Sequence, residues 1–288
     1  MSQFILTGFA DEIDVSLSVQ MSVMESLGIK YIEMRNVNGK SFVNHTIAEV
    51  KEIKRQLDEK GINLSAIGSP IGKVKITDPF EPHLDLFKHT LDIAAETKAP
   101  YIRMFSFFIP QGDDPAIYRN EVLDRWYKFL TASLGYDVYL LHENEKDIYG
   151  DTALRCYDLL SSLNSERVGA IFDPANFIQC NTETYPHAYD LLKDYIKYFH
   201  IKDACANTGK PVPSGEGDGK LFEILSAVYK NGFNGFLSIE PHLGSYEQEY
   251  DYFDKSCEIL PEGGPKKFQI ATDALKRILN SIEPKTGS

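Results

Sequence analysis

A chain of 288 residues, of which 43% are hydrophobic and 25% charged, has the composition of a globular protein with a large core. Its formal net charge of −12 disfavours nucleic acid as a partner, because the phosphate backbone carries the same sign. No apolar run reaches the length of a membrane span, and the first residues lack the basic start of a signal peptide. We therefore expect a cytoplasmic protein that does not enter a membrane. The cysteines show no paired spacing, which favours reduced thiols: Cys156, Cys180, Cys205 and Cys257.

Short apolar runs rich in β-branched and aromatic residues recur along the chain and predict strands. They span residues 4–9, 31–34, 63–68, 101–105, 138–143, 168–173, 195–201 and 235–240. Between these runs, apolar residues recur at helical spacing, and glycines such as Gly28 and Gly61 are placed to end the helices. The segment from Thr46 to Glu49 has the form of a capping box at the start of one helix.

Strands that alternate with helices predict a parallel sheet, because parallel neighbours need a crossover connection. Eight such units predict an α/β fold that closes into a (β/α)8 TIM barrel, in one domain over residues 1–288. We expect the last helix within residues 257–279, after an inserted loop, and a frayed tail over 281–288. The glycine patterns of dinucleotide-binding and Walker-type phosphate loops are missing from the sequence.

Four consecutive predicted strands in the second half of the chain end on a polar residue. These residues are Glu143, Asp173, His200 and Glu240, each about one βα unit from the next. Active sites of TIM barrels lie at the carboxyl ends of the strands, so the four side chains should converge at one mouth. Three converging carboxylates would repel one another, and one divalent metal ion removes that penalty while the imidazole supplies a nitrogen ligand. Such a ligand set favours Mn²⁺, Mg²⁺ or Co²⁺ and also accommodates Zn²⁺.

The residues around these positions form five motifs that together carry a family resemblance. The motifs are His142-Glu-Asn144, Phe172-Asp-Pro-Ala-Asn176, Phe199-His-Ile-Lys-Asp203, Gly215-Glu-Gly-Asp-Gly219 and Ile239-Glu-Pro-His242. Over nearly its whole length the chain resembles the xylose-isomerase-like TIM barrel superfamily, and within it the sugar phosphate isomerase/epimerase branch. In that branch the Glu, Asp, His and Glu of these motifs are the metal ligands. The resemblance thus implies a complete ligand set at Glu143, Asp173, His200 and Glu240.

The resemblance further implies that Glu143 and Glu240 act both as ligands and as proton-transfer groups. One carboxylate removes a proton beside a sugar carbonyl, a metal-stabilised enediolate forms, and the other carboxylate returns the proton. Return to the same carbon gives an epimer, and return to the neighbouring carbon gives the aldose–ketose isomer. The sequence leaves this choice open. Asp173 and His200 would be ligands alone.

Further polar residues near predicted strand ends are candidates for contact with a sugar or sugar phosphate. They are Glu33, Arg35, Arg103, Lys202 and His242. For each, a structural salt bridge or a solvated position is the alternative. The oligomeric state is open, and a homo-oligomer is compatible with the sequence.

Three other features near the predicted mouth have expected positions. Asp203 either orients an imidazole or is an ordinary loop carboxylate. His142 precedes a ligand in its strand and should point to the opposite face. The apolar segment 106–112 is expected to form a wall over the substrate, with a lid or an oligomer contact as the alternatives.

Three other functions are compatible with this fold. Apurinic-site endonucleases of the same superfamily hold three zinc ions with extra histidines, but here Asn176 stands at the place of one such histidine, and Ser69 and Ser106 offer none. A metal-dependent dehydratase of a keto-sugar or inosose would begin with the same proton removal and is the main alternative. A non-catalytic sugar-binding barrel is disfavoured, because it would not need two glutamates on one metal.

Overall fold

Eight parallel strands form one sheet in the computed structural model, which describes residues 3–245 and 263–282. They are β1 (Gln3–Gly8), β2 (Tyr31–Met34), β3 (Asn63–Ile67), β4 (Tyr101–Met104), β5 (Tyr139–Glu143), β6 (Val168–Phe172), β7 (Ile196–Ile201) and β8 (Asn234–Ile239). Each strand from β2 to β8 pairs with the next, and β8 pairs with β1. Because β1 and β2 lie side by side, the sheet is a nearly closed barrel. The predicted (β/α)8 TIM barrel is confirmed.

Helices connect the strands. They are α1 (Leu17–Ser26), α2 (Ile47–Glu59), α3 (Glu81–Thr97), α4 (Arg119–Ala132), α5 (Ala153–Leu163), α6 (Pro174–Gln179), α7 (Tyr189–Leu192), α8 (Leu221–Lys230) and α9 (Gly264–Ile282). The predicted capping box is present at α2, where Thr46 and Glu49 each accept the other's backbone N–H. Within residues 3–245 and 263–282, no helix has the length and apolar character needed to cross a membrane.

The observed strand ends agree with the predicted ends to within one residue. At β6 the difference has a local cause: Asp173 caps α6 by accepting the N–H of Asn176, so its backbone has already left the strand. The last helix, α9, continues to Ile282, so the first two residues of the predicted tail are helical. Residues 257–262 and 283–288 lie outside the described residues, and the single domain over the whole chain stays a prediction.

The interior of the barrel is apolar at one level and polar at the next. Near the amino ends of the strands, four aromatic rings contact one another and fill the barrel interior. They belong to Tyr31, Tyr101, Tyr198 and Phe236. Polar residues follow towards the carboxyl ends, and those with no exposed surface are Thr7, Glu33, Ser65, His200 and Ser238. This gradient places the charged groups above an apolar floor, towards the carboxyl ends of the strands.

Candidate metal centre at the barrel mouth

Four buried polar side chains meet at the carboxyl end of the barrel. Glu143 and His200 lie in β5 and β7, while Asp173 and Glu240 directly follow β6 and β8. Each is at most 3% exposed and offers a ligand atom within 4.8 Å of those of the other three. His200 Nδ1 lies 2.9 Å from Glu143 Oε1, 3.5 Å from Glu240 Oε2 and 4.0 Å from Asp173 Oδ2. The structure thus brings together the four residues that the sequence analysis grouped.

The donor atoms of this cluster fit a divalent cation. Among the described residues, no group donates a hydrogen bond to Glu143 Oε2 or to Asp173 Oδ2, although both oxygens are buried. Each oxygen has instead an ion-pair contact, with Arg103 at 3.2 Å or Lys202 at 2.8 Å. Buried carboxylate oxygens that lack hydrogen bonds are costly unless positive charge compensates them. One imidazole nitrogen and three carboxylates suit Mn²⁺, Co²⁺, Mg²⁺ and Zn²⁺ by their chemistry.

Basic neighbours keep two of the carboxylates ionised despite their burial. Burial disfavours the charged form of Glu143, but His200 and Arg103 outweigh it and lower the pKa of this carboxyl to about 2. Burial likewise opposes ionisation of Glu240, and Lys202 is the main cause that holds its pKa well below the ordinary value. Both groups therefore remain able to accept a proton at neutral pH.

Asp173 behaves differently. Burial raises its pKa to about 6, because the attraction of Lys202 does not offset burial together with repulsion from Glu240 and Glu143. Lys202 Nζ lies 2.8 Å from Asp173 Oδ2 and 3.2 Å from Glu240 Oε2. Burial and the two neighbouring glutamates thus outweigh Lys202 at Asp173, and an added cation would favour the ionised form of this carboxyl.

Two asparagines hold the ligand groups of β5 and β6 in place. Asn144 Oδ1 accepts the N–H of Asp173 and its Nδ2 donates to the carbonyl of Asp173, at 3.0 and 2.9 Å. Asn176 donates from Nδ2 to Glu143 Oε1 and from its backbone to Asp173 Oδ1, at 3.3 and 2.9 Å. Neither of these roles was predicted from the sequence. Their only signal was their position beside ligands in the motifs that carry the resemblance.

Glu240 is also held from the other side of the mouth. Arg35 Nη1 and His242 Nε2 lie 3.1 and 3.2 Å from Glu240 Oε1. Arg35 is fixed in turn by Asp11, 2.8 Å from Nε, and by Glu12, 3.4 Å from Nη2. The acidic residues of the loop after β1 were not predicted as part of the site. Sequence separation hides them, because they reach Glu240 through Arg35 and, for Glu12, also through His242, whose Nε2 lies 3.3 Å from Glu12 Oε1.

Arg103 occupies the equivalent place beside Glu143. Its Nη1 lies 3.2 Å from Glu143 Oε2, and its Nη2 donates to the carbonyl of Gly68 at 3.1 Å. The guanidinium stacks near the rings of Phe9 and Phe105, at 4.9 and 5.0 Å from their centroids. The guanidinium of Arg103 is therefore oriented by polar contacts at its edge and by the two aromatic rings at its face.

Glu33 does not lie where a substrate contact was expected. Its carboxylate is fully buried below the cluster, accepts a hydrogen bond from Ser238 Oγ at 2.6 Å and lies 3.2 Å from His200 Nε2. The reason is depth within the barrel: Glu33 precedes the last residue of β2, and its side chain points inwards one level beneath the mouth. Arg35, two residues later, reaches the mouth instead.

A cavity of about 350 Å³ opens above the cluster. Four of the five predicted substrate contacts line it: Arg35, Arg103, Lys202 and His242. Of the four clustered residues, Glu143 and Glu240 line this cavity, whereas Asp173 and His200 do not. The cluster therefore has two members that face the cavity and two that lie behind them.

Asp203 does not orient an imidazole. Its carboxylate accepts the backbone N–H groups of Gly215, Gly217 and Gly219 at 2.9, 3.1 and 2.9 Å. A Cβ atom on Gly217 would lie 2.4 Å from Asp203 Oδ1, so the loop can approach this closely only with glycine. The glycine-rich motif is thus a loop anchored to the end of β7.

The apolar segment 106–112 is not among the residues that line the mouth cavity, so its interpretation as a wall is wrong. Phe107 is fully buried against Phe129, and its N–H donates to the carbonyl of Gly72. Phe107 belongs to the core and Ile109 packs against it half-buried, whereas Gln111 and Gly112 are exposed. His142 points away from the cluster as expected, with Nε2 2.9 Å from Ser106 Oγ, and burial lowers its pKa to about 3.

Three solved structures superpose on nearly the whole chain. The IOLI protein with a bound zinc atom is 16% identical, with a TM-score of 0.75 and coverage of 97% of this chain and 99% of that chain. The D-allulose 3-epimerase from Methylomonas sp., in complex with D-allulose, is 14% identical, with a TM-score of 0.70 and coverage of 97% and 98%. The probable 3-DHS dehydratase AsbF from Bacillus anthracis is 15% identical, with a TM-score of 0.71 and coverage of 96% and 99%. Identities this low establish a shared fold alone.

The sequence itself identifies the family. A comparison with curated proteins finds no significant match. The family model for the xylose isomerase-like TIM barrel, in contrast, matches residues 22–262, which include all four clustered residues. The chain therefore belongs to the xylose isomerase-like TIM barrel family.

Proposed function

We propose that the protein is a divalent-metal-dependent enzyme that isomerises or epimerises a sugar or sugar derivative. The observation that carries this proposal is the division of the cluster: Glu143 and Glu240 line the cavity, while Asp173 and His200 lie behind them. A site that only held a metal would need no such division. Two carboxylates that face the cavity can exchange protons with a bound molecule.

The proposed cation is held by Glu143, Asp173, His200 and Glu240. When bound, it would act as a Lewis acid on a substrate carbonyl and acidify the adjacent C–H bond. Ligand hardness favours Mn²⁺, Mg²⁺ or Co²⁺, and the zinc in the IOLI protein is a reason to test Zn²⁺ as well.

The chain's own residues account for proton movement. Glu143 and Glu240 are ionised in the metal-free chain and line the cavity, so each has oxygen lone pairs available to take a proton from a substrate carbon. Arg103 and Arg35 form ion pairs with these carboxylates and restrict their rotation. The carboxylates therefore keep a fixed orientation relative to the cavity. Return of the proton to the same carbon gives an epimer, and return to the next carbon gives an isomer.

Four residues of the cavity are proposed to bind the substrate: Arg35, Arg103, Lys202 and His242. They are donors, and sugar hydroxyls or a phosphate would accept from them. Their neighbours Glu143 and Glu240 accept from hydroxyls. A polar ligand with many oxygens therefore suits this cavity better than an apolar one.

A metal-dependent dehydratase of a keto-sugar or inosose is the second candidate. His242 favours it, because this side chain lines the cavity and is in contact with Glu240. Burial opposes its protonation, but Glu240 raises its pKa, so the imidazolium can donate a proton to a departing hydroxyl. Elimination would start from the same proton removal.

A cytoplasmic location is proposed as well. The cysteines in the described part of the chain, Cys156, Cys180 and Cys205, are free thiols, which suits a reducing compartment. Cys257 lies outside the described residues.

The test is proton exchange with solvent. The protein is incubated in D₂O with Mn²⁺ and a panel of ketoses, aldoses and their phosphates, and the products are followed by NMR. We expect deuterium at one carbon beside the carbonyl, together with an epimer or isomer, and no exchange after removal of metal by EDTA. Elimination products would favour the dehydratase, and a metal-loaded protein that binds sugar without exchange would favour a binding barrel.

A further inference from the structure

The imidazole of His200 lies between two carboxylates, one at each nitrogen. Nδ1 faces the cluster, 2.9 Å from Glu143 Oε1, whereas Nε2 faces the interior, 3.3 and 3.2 Å from the two oxygens of Glu33. An imidazole that binds a cation through Nδ1 carries its proton on Nε2, and that N–H then needs an acceptor. Glu33 is that acceptor.

We propose that Glu33 is a positioning residue for the metal site: it fixes the tautomer and the direction of His200, and its charge strengthens Nδ1 as a donor. This inference rests on the proposed metal dependence. It concerns a residue that lies outside the ligand set and does not line the cavity. Carboxylates that accept the second N–H of a ligand histidine raise the basicity of that ligand.

The surroundings of Glu33 support this role. The side chain is fully buried, and within residues 3–245 and 263–282 its ion-pair partner is His200. A buried carboxylate costs several kcal/mol unless a positive group and hydrogen bonds compensate it. Ser238 Oγ supplies one hydrogen bond at 2.6 Å. Nε2 of His200 and the hydroxyl of Ser238 are thus placed to supply the compensation that a buried carboxylate needs.

A layer of hydroxyl groups under Glu33 gives it a rigid base. Burial, together with the nearby Glu33 carboxylate, raises the pKa of Tyr198 well above its ordinary value, so the phenol stays protonated. Its hydroxyl lies 2.9 Å from Ser65 Oγ, which in turn lies 2.7 Å from Thr7 Oγ1. These residues come from β1, β3 and β7, so the layer connects strands on different sides of the barrel. Such a network limits the movement of Glu33 and so of His200.

The experiment measures metal affinity and the state of the imidazole, independent of activity. Wild type, Glu33→Gln, Glu33→Leu and Ser238→Ala are stripped of metal, and Co²⁺ binding is measured by chelator competition together with the visible spectrum. We expect Glu33→Gln, which keeps the size but removes the charge, to weaken Co²⁺ binding by about 10- to 100-fold and to shift the Co²⁺ bands. Glu33→Leu should weaken binding at least as much, and Ser238→Ala less but in the same direction.

Thr97→Ala is the matched control. It removes a buried hydroxyl that hydrogen-bonds the carbonyls of Ile93 and Ala94 within α3 and belongs to neither the metal site nor the layer under Glu33, so Co²⁺ affinity should stay within about twofold of wild type even if thermal stability falls. In ¹⁵N-histidine-labelled protein with Zn²⁺, the hydrogen-bonded Nε2–H signal of His200 should be present in wild type and shifted or lost in Glu33→Leu.

The outcomes separate this inference from the proposed function. If Glu33→Gln and Ser238→Ala bind Co²⁺ as tightly as wild type with unchanged spectra, Glu33 does not position His200, whatever its effect on stability. If Glu33 variants do not fold, Ser238→Ala alone decides by the same comparison. If wild type binds none of Co²⁺, Mn²⁺ and Zn²⁺, the proposed metal dependence fails, and the role of Glu33 fails with it.

Discussion

Lys202 Nζ lies 2.8 Å from Asp173 Oδ2, one of two buried carboxylate oxygens of the cluster that accept no hydrogen bond from the described residues. The ammonium is itself only 5% exposed. It therefore supplies positive charge to the carboxylates at the point where a cation would also bind. Lysine and metal both compensate the same negative charge, and this competition has measurable consequences.

Lys202→Met should destabilise the metal-free protein and tighten metal binding. Removal of one partner from a buried ion pair typically costs about 3–5 kcal/mol, because the other charge is left uncompensated. The remaining carboxylates then attract a cation more strongly. The measurements are urea unfolding without metal and Mn²⁺ affinity. Lys88→Met breaks an exposed pair with Asp85 and should cost less than about 1 kcal/mol. Equal metal-free stability of Lys202→Met and wild type would contradict this account of the pair.

Glu240→Gln should abolish solvent exchange into the substrate while the protein stays folded and binds some metal. The amide cannot take up a proton from carbon, and loss of one acid–base group commonly costs at least about 100-fold in rate. The measurement is deuterium incorporation in D₂O with Mn²⁺ held at saturation. Glu59→Gln, an exposed substitution at the end of α2, serves as the control and should exchange like wild type. Full activity of Glu240→Gln would refute the acid–base assignment.

Asn144→Ala should lower both stability and metal affinity. Its side chain pairs with the N–H and the carbonyl of Asp173, and these buried groups would lose their partners at a cost of about 1–3 kcal/mol. Asp173 would then be less well fixed for a cation. Unfolding in urea and Mn²⁺ titration test both effects, with Asn234→Ala at the exposed start of β8 as the control. Lower stability with unchanged metal affinity would show that Asn144 supports the fold but not the ligand.

Gly217→Ala should destabilise the glycine-rich loop. The added Cβ would lie 2.4 Å from Asp203 Oδ1 and 2.6 Å from the carbonyl of Ala204, so the loop must move away from its anchor. We expect faster cleavage within residues 205–219 by limited proteolysis. Gly244→Ala is the matched control, because its Cβ meets no atom within 4 Å. Equal cleavage of the two variants would mean that the anchor at Asp203 does not hold the loop.

The pH dependence of stability should contain a contribution from His83. This imidazole accepts the N–H of Gly72 at 2.7 Å, and burial, with a smaller effect of Arg125, lowers its pKa to about 4. In the unfolded chain the group takes up a proton near its ordinary value of 6.5. Its contribution is therefore complete above pH 6.5, declines as the pH falls towards 4, and changes no further below that. Urea unfolding of metal-free protein across this range should show a shallower decline for His83→Gln, and equal slopes would contradict the assignment.

The strands and the four clustered residues could be predicted because local sequence patterns encode where strands begin and end. Apolar runs identify strands, and in a parallel barrel all the strands end at one face, so Glu143, Asp173, His200 and Glu240 could be grouped without coordinates. To group these four residues, it was sufficient to know where each strand ends. Depth within the barrel is not encoded in this way, and Glu33 was therefore expected at the mouth although it lies beneath it.

Contacts between distant segments account for the remaining differences. The apolar character of segment 106–112 was visible, but the burial of Phe107 depends on pairing with residues 72–74, about 35 positions earlier in the chain. Asp203 was similarly visible as a carboxylate beside a ligand. Three of its backbone partners lie in a loop that only the folded chain brings to it. Hydrogen bonds of this kind leave no periodic signal in the sequence.

Anomalous X-ray diffraction from crystals soaked with Mn²⁺ tests the central claim most directly. The account predicts one strong peak at the barrel mouth, about 2.0–2.3 Å from donor atoms of Glu143, Asp173, His200 and Glu240. A fully soaked crystal with no peak among these four side chains, or with its only peak elsewhere, would contradict it.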